Sequence, residues 1–103
     1  MVAGVDQGDE FKRDMGYTVK EFYRILPSAV GDHEFAVEGD RVVVRAPDED
    51  RELVLRINQL PDRKIGMIRI PRIEVDFTFH HFSARERKDF LAAFDRSFQR
   101  GGG

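Results

Sequence analysis

The sequence predicts an α+β fold, a two-layer sandwich in which a four- to five-stranded antiparallel sheet carries an N-terminal and a C-terminal helix on one face. Three observations predict it. A capping box opens a helical apolar stripe near the start of the chain, a second opens one near its end, and between them the apolar residues recur every second position. The expected order is α-β-β-β-β-(β)-α, because two amphipathic helices are about enough to cover one face of such a sheet.

The first helix is announced by TVKE, residues 18–21. Thr18 can accept from the backbone N–H of Glu21 while Glu21 reaches back to the N–H of Thr18. Val19, Phe22, Tyr23 and Leu26 then follow at one helical face. Pro27 removes a helical hydrogen bond and crowds the preceding turn, so the helix is expected to stop near Leu26, with residues 27–31 a turn or a short continuation.

The period then changes to two. Phe35 and Val37 alternate with Glu34 and Glu38, Gly39 and Asp40 supply a turn, and Val42 and Val44 alternate with Arg41 and Arg45, so residues 33–46 read as a hairpin. PDED at 47–50 reads as a turn, followed by Leu53, Leu55 and Ile57 in alternation, and PDRK at 61–64 reads as another. Ile68 and Ile70 precede Pro71, and Ile73, Val75, Phe77 and Phe79 follow it on odd numbers. That parity change predicts a bulge or turn at Pro71, which either separates two strands or kinks one.

The last element is the strongest. SARE, residues 83–86, is a capping box, and Phe90, Leu91, Phe94 and Phe98 form an apolar stripe behind it. The helix is expected to end near Arg100 with Gly101 as a left-handed cap. Residues 1–10 are read as a flexible tail, 11–100 as a single domain and 101–103 as a glycine tail.

The chain has 103 residues, 41% hydrophobic and 35% charged, with nine phenylalanines and no cysteine, so thiolate chemistry and disulfides are excluded. MVAGVDQGDEFKRDMG carries no apolar leader pattern, and no run approaches the ~18 apolar residues of a membrane span, so a cytoplasmic protein is expected. Net charge is −2, but residues 1–50 hold six basic and twelve acidic side chains while residues 51–103 hold eleven and seven. An anion-binding surface is therefore expected in the second half, and its candidates are Arg56, Arg63, Lys64, Arg69 and Arg72. Arginine suits that role because its planar fork grips a carboxylate or phosphate with two bonds.

The adjacent His80 and His81 are the nearest approach to a chemical signature. Successive strand side chains point to opposite faces, so the pair cannot share one metal, and no HExxH or similar ligand spacing supports a metal site. A strand end leading into the Ser83 cap is the favoured reading, with Phe82 as a hydrophobic staple. The sharper alternative makes His80 a general base oriented by Asp76 on the same face, at the centre of a small enzyme or ligand-binding domain. No phosphate-binding glycine loop or nucleophile elbow is present, and no cofactor is expected.

The expected role is thus a non-catalytic binding or adaptor domain, its charged sheet face meeting a protein partner or an anionic ligand. Nucleic-acid binding is a weaker alternative, because the phenylalanines have core parity and acids interleave with the bases. Self-pairing, where it occurs, is expected through a strand edge.

Overall fold

Five strands form one antiparallel sheet in the order β1-β5-β4-β3-β2, and two helices lie on one of its faces. The structure is a computed structural model and describes residues 10–46 and 50–102. Residues 1–9 of the tail expected over 1–10, residues 47–49 of the turn expected over 47–50, and Gly103 lie outside the described residues, while Glu10, expected in the tail, begins a strand. The elements are β1 (Glu10–Met15), α1 (Val19–Val30), β2 (Glu34–Glu38), β3 (Arg41–Arg45), β4 (Glu52–Ile65), β5 (Ile68–His80) and α2 (Ala84–Gly102).

The two-layer α+β arrangement stands as the sequence predicts, with one addition at the front. A strand precedes the first helix, and β1 pairs with β5 from Glu10↔Thr78 to Met15↔Ile73. Its inward positions are Phe11, Arg13 and Met15, so a cation interrupts the apolar alternation. Arg13 is accommodated because its guanidinium lies over the rings of Phe11 and Phe77, 5.6 and 5.7 Å from their centroids, and ion-pairs with Asp95 of α2.

Both capping boxes form. Thr18 accepts from Glu21 N at 3.0 Å and Ser83 from Glu86 N at 3.1 Å, and each glutamate returns the bond. Pro27 does not stop α1, which runs one further turn to Val30 because Ala29 and Val30 are buried in the core. Helix α2 likewise passes the expected glycine cap and ends at Gly102.

Phe77 and Phe79 of β5 meet Phe94 and Phe90 of α2 edge-on at 5.3 and 6.1 Å, and Phe22 of α1 stacks on Phe98 at 5.2 Å. Phe82, just before the cap, packs against Phe79 and Phe90. Tyr17 donates its hydroxyl to the Phe98 carbonyl, joining the start of α1 to the end of α2.

The middle of the chain departs most from expectation. PDRK is no turn, since β4 runs through it to Ile65, and the reversal falls at Gly66 and Met67, with Gly66 at φ +62°. Pro71 neither divides nor reverses β5. The extra residue sits in the partner strand, where Leu60↔Arg72 is followed by Arg63↔Ile70, so β4 carries the bulge and β5 keeps strict alternation. Ile68 and Ile70 therefore share the side of Arg72, Glu74 and Asp76, away from the helices. Both prolines fit because β3 pairs with β4 only as far as Arg56 and β1 with β5 only from Ile73, so among the described residues no strand lies along the outer edges beyond.

Candidate functional site

Beyond Asn58 and Ile73, strands β4 and β5 leave the sheet as a two-stranded arm, and the molecule measures 47 × 30 × 25 Å. Residues 61–69 are all exposed. At the tip Ile65 pairs with Ile68 across the turn, with exposures of 56% and 63%, and Met67 in the turn is fully exposed. One rung behind, Lys64 faces Arg69, and the next rung sets Arg63 beside Ile70. Alternation places Arg63, Ile65, Ile68 and Ile70 on one side of the ribbon and Lys64 and Arg69 on the other. The tip is apolar and its collar is basic.

Arg72 stands at the root of the arm and is already engaged. Its Nη2 lies 2.5 Å from Asp14 Oδ2 and its Nε 3.3 Å from Asp14 Oδ1, a two-point pair that ties β5 to β1. The hydrogen bond from Arg72 holds the Asp14 carboxyl below the usual carboxylate range, and the charges of Arg72 and Arg63 add to the effect.

Arg56 lies elsewhere. On the open face of the sheet, Glu38, Arg41, Arg56, Asp76 and Lys12 are successive neighbours across five strands. Arg41 bonds Glu38 at 3.1 Å, and Arg56 and Lys12 flank Asp76, so each cation of this row has a carboxylate as a neighbour. Asp76 Oδ1 is buried without a hydrogen-bond partner among the described residues. Of the expected basic set, the fold gathers Arg63, Lys64 and Arg69 on the arm, gives Arg72 to Asp14 and leaves Arg56 on the sheet. Arg69, expected on the charged sheet face, is carried off it by the arm.

The fold does not bring Asp76 and His80 together. They are four residues apart on one strand face with Thr78 between them, about 13 Å at ~3.3 Å per residue, and they line separate shallow depressions. His80 ends β5 opposite Glu52, while His81 leaves the strand at φ +67°, exposed. Among the described residues no three His, Asp or Glu side chains converge in a way that holds a metal. His33 is a structural residue: its Nδ1 donates to the Val30 carbonyl at 2.9 Å and its ring meets Phe90 edge-on at 5.4 Å.

Sequence reasoning missed the apolar tip. The signal was present, because IGMI, residues 65–68, sets three large apolar side chains around a turn glycine, where turn chemistry favours small polar residues. No protein-family model matches the chain, and comparison with curated proteins gives no significant match. No helix among the described residues is long and apolar enough to cross a membrane.

Proposed function

We propose that this chain is a non-catalytic protein-binding module whose contact element is the β4–β5 arm. The observation that carries the reading is the tip. Ile65, Met67 and Ile68 stand at the far end of a projecting ribbon, all three exposed and none part of the core cluster among the described residues. Exposed apolar clusters of this kind mark interaction sites. The collar of Arg63, Lys64 and Arg69 restricts the partner to one that surrounds an apolar patch with carboxylates, since burying like charge against it is costly.

Acids at the root and along the arm, Asp14, Asp62 and Glu74, weigh against a polyanion laid along its length. A hydrolytic or proton-transfer role has no support from Asp76 and His80, which are out of mutual reach. Affinity capture with wild-type protein, with Lys64→Glu/Arg69→Glu and with His80→Ala tests the reading. The arm variant is expected to lose partners that wild type and His80→Ala both retain. Retention by the arm variant, or loss with His80→Ala, refutes it.

A further inference from the structure

We infer that the partner of the arm is a second copy of this chain, with the arm of one copy seated on the free edge of β2 in the other. The inference rests on the arm being the contact element and names its occupant. Among the described residues the exposed large apolar side chains number five, and they fall into two patches: Ile65, Met67 and Ile68 on the arm, and Phe35 and Val37 on β2. Phe35 and Val37 share the helix-side face with Val44 and Val42, but the helices do not cover this margin, and they are 37% and 52% exposed.

The two patches are complementary in charge and in backbone. The arm tip is collared by Arg63, Lys64 and Arg69, whereas β2 is an acidic strand, with Asp32 and Asp40 beyond its ends and Glu34 and Glu38 on the face opposite Phe35 and Val37, Glu38 being bonded to Arg41. Among the described residues β2 is the last strand of the sheet, with no strand on one side of its backbone, and the outer edges of the arm strands have no strand beside them either. β2 has five residues, roughly 17 Å at ~3.3 Å per residue, and beyond its bulge the β4 strand of the arm runs regularly from Arg63 to Ile65, roughly 10 Å, so such a pairing covers part of β2. An added strand then gains main-chain hydrogen bonds as well as apolar contact.

Like-with-like pairing is opposed by the same charges. Two β2 edges meeting antiparallel about Ala36 would set Glu34 against Glu38 twice, and two arms meeting would oppose their cationic collars. Arm on edge is the combination that sets opposite charges together. Because it joins different patches, each copy keeps one arm and one edge to offer, and the rotation between copies decides whether the assembly closes or extends.

Different patches also permit a decisive test by mixing. Lys64→Glu/Arg69→Glu disables the arm and leaves the edge, while Val37→Lys disables the edge and leaves the arm; both sites are exposed, and circular dichroism and thermal melting report whether each variant folds. Sedimentation velocity should show wild type self-associating in a salt-sensitive manner, each variant weakened by about tenfold or more, and their equimolar mixture forming a 1:1 complex. Wild type that stays monomeric at high concentration and low salt overturns the inference, as does a mixture that fails to associate when both variants fold. If the arm variant also loses a different captured protein while wild type is monomeric, the arm remains a binding element and its occupant is not this chain. Arm-dependent binding of monomer to phosphatidylserine-containing vesicles or duplex DNA overturns both readings.

Discussion

Lys64 and Arg69 face each other across the arm, one rung behind its apolar tip, and neither makes an ion pair among the described residues. Like charges directly opposite in an antiparallel pair are destabilising by a few tenths to about 1 kcal/mol. Elsewhere the sheet relieves such a contact, as where Arg41 opposite Arg56 is compensated by Glu38 and Asp76. At the arm it does not.

Fold and binding should therefore respond to this pair with opposite signs. Lys64→Glu is expected to leave the isolated monomer as stable as wild type or up to about 1 kcal/mol more stable, while weakening association. Urea unfolding at low protein concentration, set beside a binding measurement, checks both halves.

The ion pair at the root of the arm gives a pH dependence. The carboxyls of Asp14 and Glu86 lie below their ordinary range in the folded chain, the first through its hydrogen bond to Arg72, the second through the backbone N–H of Ser83. A depressed folded-state value means that the unfolded chain takes up protons first, so this stability is present above the ordinary carboxylate range and is lost as pH falls through the folded-state values. Melting temperature should decline on acidification, and Asp14→Asn with Glu86→Gln should flatten that decline. An unchanged acid limb in the double variant would contradict the assignment.

The histidine pair is expected to be dispensable. His81 occupies a left-handed conformation that suits glycine, so His81→Gly should raise stability or leave it unchanged, by no more than about 1 kcal/mol once the extra entropy of glycine is included. His80→Ala should be near neutral, within about 0.5 kcal/mol, as for a surface position. Denaturant titrations of the two variants decide this.

Core and arm should separate cleanly. Phe94 is fully buried between Phe77, Phe22, Phe90 and Phe98, and Phe94→Ala should cost about 3–5 kcal/mol. Met67 is fully exposed, so Met67→Ala should shift unfolding by less than about 0.5 kcal/mol while weakening association. A large stability loss from Met67→Ala would mean that the tip packs within its own chain.

The sequence by itself determined the two helices, their capping boxes, the phenylalanine core and the alternation of β2, β3, β4 from Leu53 to Ile57 and β5 from Ile73 to Phe79, since each is written in local periodicity and cap chemistry that act over a few residues. It did not reveal β1, because Arg13 breaks the apolar pattern and becomes tolerable only when Phe11, Phe77 and Asp95 are brought to it. Nor did it place the reversal at Gly66, because Pro61 and Pro71 read as breakers until the ends of β3 and β1 leave their strand edges unpaired. Tertiary structure alone decided that Arg63, Lys64 and Arg69 travel together past the body while Arg72 is held by Asp14. Where a strand stops pairing depends on the length of its neighbours, and no single segment of the chain encodes that.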